Sequence, residues 1–141
     1  MKRIAILGDG AWGTALGLML LQKGHTVRIW GAFPDYIERI RREKENPLYL
    51  PGIHLPDKLF WTADHDEAVE KADVIILAVP SKFCRSVFKS FAGKLSANCS
   101  VVSVSKGLDP ESHRRTSEIA SEILGCGSVA ALSGPSYAIE V

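Results

Sequence analysis

The chain has 141 residues, 46% of them hydrophobic and 23% charged, with a formal net charge of +1. That is the size of one domain able to bury a core without disulfide or metal support, and the composition excludes a disordered or fibrous chain. So small a net charge provides no broad field for a nucleic acid or an anionic membrane, so any anion must be held locally.

The opening Met1-Lys2-Arg3 precedes an apolar run, but Asp9 interrupts it, which reads against a secretory leader. No stretch reaches the ~20 apolar residues of a membrane span. Ile4-Ala5-Ile6-Leu7 is a short continuous apolar run ending in glycine, the pattern of a parallel strand covered on both faces. Residues 12–23 turn helical, Gly24 stops that helix, and Thr26-Val27-Arg28-Ile29-Trp30 reads as a second strand. Pro34 opens a helix to about residue 45, and 46–58, with Pro47, Pro51, Gly52 and Pro56, is a loop.

A short third strand is expected at 59–62 and a helix at 64–71. A second buried strand follows at 74–79, ending at Pro80. Phe83, Val87, Phe88 and Phe91 can share one face of a helix over 82–95. Residues 100–104 form a fifth strand, and Asp109-Pro110 is expected to cap and open a helix continuing to about residue 124. Residues 128–132 complete six strands. Strands alternating with helices predict an α/β fold, a doubly wound parallel sheet in three αβα layers with strand order 3-2-1-4-5-6.

Gly8-Asp9-Gly10-Ala11-Trp12-Gly13 matches G-x-G-x-x-G directly after a strand and at the opening of a helix. Gly8 permits the tight turn, Gly10 lets backbone approach a pyrophosphate, and Gly13 allows close helix-to-strand packing. The helix start offers unpaired N–H groups and a positive dipole end to phosphates. In this context the pattern reads as a dinucleotide cradle rather than a purely structural turn. The end of the second strand commonly supplies an acid for the NAD ribose or a nearby arginine for the NADP phosphate. Trp30-Gly31-Ala32-Phe33 supplies neither. Asp35 reads as a first-turn helix residue, and Arg39, Arg41 and Arg42 read as a solvated helix face. The choice between NAD and NADP stays open, with the missing acid leaning toward NADP.

Three cysteines, Cys84, Cys99 and Cys126, show neither C-x-x-C spacing nor a histidine at metal-ligand spacing, which suits a reduced setting with thiols in the core. His25, His54, His65 and His113 are assigned surface or local hydrogen-bonding roles.

Several blocks carry a resemblance to the bacterial glycerol-3-phosphate dehydrogenases over essentially the whole chain. They are the glycine turn continued through Thr14-Ala15-Leu16, Asn46-Pro47-Leu48-Tyr49-Leu50-Pro51-Gly52, Ala78-Val79-Pro80-Ser81, Lys106-Gly107-Leu108, and Ser133-Gly134-Pro135-Ser136-Tyr137-Ala138-Ile139-Glu140-Val141. The resemblance implies reversible hydride transfer between NAD(P)H and dihydroxyacetone phosphate, giving sn-glycerol 3-phosphate for phospholipid synthesis. It implies that Ala11, Trp12, Ala32, Phe33 and Ala138 touch the cofactor, joined in some relatives by Tyr49 and Phe83. Lys106 resembles the lysine that contacts both cofactor and substrate, whereas spacing alone gives a solvated loop lysine. Gly134 and Ser136 resemble positions that contact glycerol 3-phosphate, although Ser-Gly-Pro-Ser is also an ordinary turn after a strand. Ser81 is placed near the nicotinamide side, with helix N-capping an adequate alternative.

The resemblance also implies a helical C-terminal domain, expected to be absent from these residues, that supplies the acid-base lysine and much of the dimer contact. No catalytic residue is therefore assigned, and the domain alone is expected to bind cofactor with little or no turnover. The full-length protein is expected to be a cytoplasmic homodimer using no metal and binding neither nucleic acid nor membrane. Fold alone does not select a substrate. Two other readings stand beside this one: a Rossmann dehydrogenase of the β-hydroxyacid or 6-phosphogluconate type, and a nucleotide-sensing module without catalysis.

Overall fold

The structure is a computed structural model and describes residues 1–125, 128–134 and 137–140. In chain order the elements are β1 (Arg3–Leu7), α1 (Ala11–Gln22), β2 (Thr26–Trp30), α2 (Pro34–Glu43), β3 (Phe60–Thr62) and α3 (His65–Val69). They continue with β4 (Val74–Leu77), α4 (Ser81–Phe91), β5 (Ser100–Ser103), α5 (Thr116–Leu124), β6 (Ser128–Ala131) and a short 3₁₀ turn, Ala138–Glu140. All strand pairs are parallel, and the sheet order is β3-β2-β1-β4-β5-β6, as the alternation of strands and helices predicts.

The two helical layers follow from the two-residue period of a strand, which sends successive side chains to opposite faces. Ile4 and Ile6 of β1, Val27 and Ile29 of β2 and Ile76 of β4 pack with Leu16 of α1 and with Ile37 and Ile40 of α2. Ala5, Leu7, Trp30, Ile75, Leu77 and Val101 pack on the other face with Ala68 of α3, Phe88 and Phe91 of α4 and Ile119 of α5. The central strands are buried on both sides, which is why they read as apolar runs rather than alternating ones.

Leu7, the last residue of β1, pairs with Trp30 of β2 on one side and Leu77 of β4 on the other. The chain leaves β1 for α1 on one face and leaves β4 for α4 on the opposite face. This reversal of winding opens a crevice beyond the carboxyl ends of β1 and β4, the place where open α/β sheets take ligands.

Some boundaries differ from the sequence reading. β4 and β5 stop at Leu77 and Ser103, although two further backbone bonds prolong the pairing, Ala78 N–H to Leu7 (2.8 Å) and Val104 N–H to Leu77 (2.9 Å). α2 ends at Glu43 because Lys44 turns left-handed, with φ 54°. The last helix begins at Thr116, not at Asp109-Pro110. The buried Asp109 carboxylate instead accepts from the Ser112 amide (3.0 Å), the Ser112 hydroxyl (2.6 Å) and Arg85 Nη2 (3.1 Å). His113 then takes φ 54°, which interrupts helical geometry before Thr116.

Cys84 and Cys99 are buried in the core, and Cys126 lies outside the described residues. His25 accepts a hydrogen bond at Nδ1 from the Lys2 amide (3.2 Å). His65 is half-buried, its ring packed against Trp30 and Phe91 with centroids 5.0 and 4.9 Å away. Among the described residues, no helix is long and apolar enough to cross a membrane.

Candidate cofactor site

The glycine turn sits where β1 gives way to α1, against the first residues beyond β4. Gly8 has φ +129°, and a Cβ there would lie 2.5 Å from the Ala78 carbonyl oxygen. A Cβ on Gly13 would lie 2.2 Å from the Gly8 carbonyl oxygen, so α1 can approach the turn only with hydrogen at that position. Gly10 is different, since a Cβ on it would meet no atom within 4 Å. That open ground lies at the start of α1, where Gly10 is the N-cap and no side chain caps the helix. Its first N–H groups are left for a ligand, and a pyrophosphate suits both the space and the helix dipole.

Asn46 is fully buried and holds this turn from behind. Its amide nitrogen donates to the Asp9 carbonyl and to Thr14 Oγ1, each at 2.8 Å. Its amide oxygen accepts from the Tyr36 hydroxyl and from the Tyr49 backbone N–H (3.3 Å). Both donors and both acceptor positions of the side chain are thereby used. Thr14 Oγ1 in turn donates to the Gly10 carbonyl (2.9 Å). Tyr36 accepts from the Leu48 amide (3.1 Å), stands edge-on to Tyr49 with centroids 5.7 Å apart, and has its phenol pKa raised chiefly by burial. The 46–52 loop is thus tied into the phosphate cradle. In the sequence Asn46 stands in a recognised block without a role, and its place directly before Pro47 in a loop is the signal it offers.

Asp9 lies between the first two glycines. Its Oδ2 is buried without a hydrogen-bond partner, and a Cβ added to Gly31 would fall 2.5 Å from that oxygen. Burial raises the carboxyl pKa above its ordinary value, partly offset by a hydrogen bond from its own backbone.

Beyond the carboxyl ends of β1, β4 and β5 lies a cleft of about 520 Å³ lined by Trp12, Pro80, Ser81, Lys106, Tyr137 and Ala138, among others. An adjoining hollow of about 190 Å³ shares Trp12 and Lys106 and reaches Gly134. The structure therefore brings Ala11, Trp12, Lys106 and Ala138 together and sets Gly134 next to them. Trp12 packs partly on the core and also walls the cleft. Ser81 is the first residue of α4 behind a Pro80 cap position, and no side-chain cap bond forms, so N-capping is not its role.

Ala32 and Phe33 are exposed at the far side, just beyond β2. Tyr49 faces Tyr36, and the exposed Phe83 carries Lys82 Nζ 4.8 Å from its ring centre, so neither lines the cleft. Ser136 lies outside the described residues.

A family model described as the NAD-dependent glycerol-3-phosphate dehydrogenase N-terminus matches residues 3–141. The chain belongs to this family. Among curated relatives of the glycerol-3-phosphate dehydrogenase family, the NAD(P)+ enzyme of Geobacillus kaustophilus is 43% identical, over 100% of this chain and 42% of its own length. The crystal structure of the glycerol-3-phosphate dehydrogenase from Coxiella burnetii superposes with a TM-score of 0.91 at 35% identity, covering 99% of this chain and 42% of that one. The glycerol-3-phosphate dehydrogenase of Saccharomyces cerevisiae gives a TM-score of 0.86 at 27% identity, covering 99% of this chain and 43% of that one. The chain thus spans about two fifths of the length of the relatives it matches. The parallel sheet, the glycine turn and the cleft at its winding reversal form the family's NAD(P)-binding Rossmann domain.

Proposed function

We propose that this chain is the cofactor-binding part of an enzyme that moves hydride between NAD(P)H and dihydroxyacetone phosphate, giving sn-glycerol 3-phosphate for phospholipid synthesis. The observation that carries the reading is that Ala11 and Trp12 of the glycine turn line the same cleft as Lys106. A purely nucleotide-sensing module needs a phosphate cradle but has no use for a lysine in the same cleft.

When bound, the nicotinamide supplies the hydride. The Gly10 ground and the first N–H groups of α1 hold the pyrophosphate. Ala11, Trp12 and Ala138 form a largely apolar wall that keeps water from the reacting face. Ala32 and Phe33 flank the adenosine end, and Tyr49 and Phe83 lie at the margins of the bound cofactor. The Lys106 ammonium, carried beyond the end of β5, holds the substrate phosphate or stabilises charge growing on the carbonyl oxygen. Gly134 and Ser136 add backbone and hydroxyl partners for the same small anion. The proton donor and the rest of the phosphate pocket fall to the part of such relatives that this chain does not cover, a separate helical domain. In this reading the whole protein is a cytoplasmic homodimer, and these residues alone bind cofactor without appreciable turnover, since half of an oriented site forfeits proximity and proton transfer.

Calorimetric titration of the chain with NADH and NADPH tests the reading. Saturable one-site binding of either supports it, and heat no greater than that of dilution with both overturns it.

A further inference from the structure

In many dinucleotide-binding folds, an acid at the carboxyl end of the second strand accepts a hydrogen bond from the adenosine ribose and keeps out a 2′-phosphate. Here that position is Gly31, directly after β2, its amide bonded to the Thr62 carbonyl at 3.1 Å on the sheet edge. The space a side chain at 31 would take is not empty. The Asp9 carboxylate and the Ile37 side chain fill it, with Asp9 Oδ2 at 2.5 Å, Ile37 Cδ1 at 2.6 Å and Asp9 Cγ at 2.8 Å from the point where a Gly31 Cβ would stand. Glycine at 31 and aspartate at 9 are complementary: the first makes room for the second.

We infer that Asp9 is the specificity-determining carboxylate of this site, reading the adenosine ribose hydroxyls and favouring NAD(H) over NADP(H). The inference rests on the cofactor reading above and adds the choice between the two nucleotides. Three features carry it. Asp9 belongs to the phosphate cradle, so its side chain is beside whatever leads away from the pyrophosphate toward β2. Its Oδ2 is buried and has no partner, a costly state that a ribose hydroxyl relieves, and the soft carboxylate torsion lets an oxygen turn to meet it. The α2 arginines are paired among themselves and their neighbours: Arg39 and Arg42 on Glu43, at 3.0 and 3.3 Å, and Arg41 over the Phe60 ring, 5.4 Å from its centre. A 2′-phosphate would bring its charge against the Asp9 carboxylate.

The test is a set of dissociation constants for NADH and NADPH, and for ADP and 2′,5′-ADP as adenosine-end probes. They are measured on the unsubstituted chain, on Asp9→Asn, which keeps the volume, and on Asp9→Ala. The unsubstituted chain is expected to prefer the ligands lacking the 2′-phosphate, and both variants to lower that preference by about ten- to a hundredfold, the worth of one hydrogen bond to a charged group. A merely structural role for Asp9 would weaken both members of each pair equally. An unchanged preference in the variants, or an unsubstituted chain that holds the 2′-phosphorylated ligands as tightly as the others, overturns the inference while leaving the cofactor reading intact. Binding of none of the four ligands by the unsubstituted chain removes the cofactor reading and this inference with it.

Discussion

Asn46 and Thr14 are joined by a hydrogen bond of 2.8 Å inside the protein, between a loop residue and the first turn of the helix that opens at the glycine turn. Through this bond and the one to the Asp9 carbonyl, the shape of the glycine turn depends on a residue more than 30 positions away. Asn46→Ala is expected to strand the Asp9 carbonyl and to remove the acceptor of Tyr36 and Tyr49. The cost is about 1–3 kcal/mol in urea unfolding, with NADH binding weakened in the variant that remains folded. A fall in stability with unchanged affinity would separate the loop from the cradle.

Gly10 and Gly13 are expected to respond to alanine in opposite ways. Gly13→Ala drives a methyl into the Gly8 carbonyl and should destabilise by about 1–3 kcal/mol or more. Gly10→Ala has extended backbone at φ −70° and nothing within 4 Å, so stability should stay within about 0.5 kcal/mol while NADH affinity falls, because the methyl enters the pyrophosphate ground. Thermal unfolding and cofactor titration of the two variants distinguish the architectural glycine from the binding one.

Asp109 makes stability depend on acid. Hydrogen bonds from Ser112, then the Arg85 guanidinium, hold its carboxyl at about 2, against an ordinary 3.8. A carboxyl lowered in the folded state contributes fully above its unfolded value and loses that contribution as pH falls through the folded value. The stabilisation should therefore be complete at neutral pH and disappear between about pH 4 and pH 2. Asp109→Asn is expected to lower the unfolding midpoint at pH 7, with the gap to the unsubstituted chain closing toward pH 2. A gap of constant size would assign the effect to shape rather than charge.

Lys106→Ala is expected to weaken NADH by about tenfold, the order of one charge-assisted hydrogen bond, while leaving ADP-ribose binding unchanged. The reason is position: Lys106 lines the cleft beyond β4 and β5 with Ser81 and Trp12, whereas the proposed reading puts the adenosine end on the β2 side. Equal losses for both ligands would place its effect on the fold of the loop.

Strand order, the two helical layers and the phosphate turn were legible in the sequence because each rests on a local pattern: apolar runs of strand length, helical stretches between them, glycines at fixed spacing, and a handedness rule that leaves few ways to connect them. The place of Lys106 at the carboxyl edge of the sheet was legible too, since it follows the fifth strand closely, whereas Trp12 and Ala138 were marked only by the family resemblance. Only the tertiary structure decided which partners the polar groups found. Asp109 reads as a helix cap until Arg85 and Ser112 are seen to claim its carboxylate. Ser81 reads as a cap until Pro80 is seen in that place. The same holds for Asn46 behind the glycine turn and for Asp9 in the space of Gly31, where the sequence shows an acid missing from the second strand and the fold brings one in from the first turn. Burial and hydrogen bonding between residues distant along the chain arise only when strands and loops are packed, so local patterns specify the frame and packing specifies the polar contacts within it.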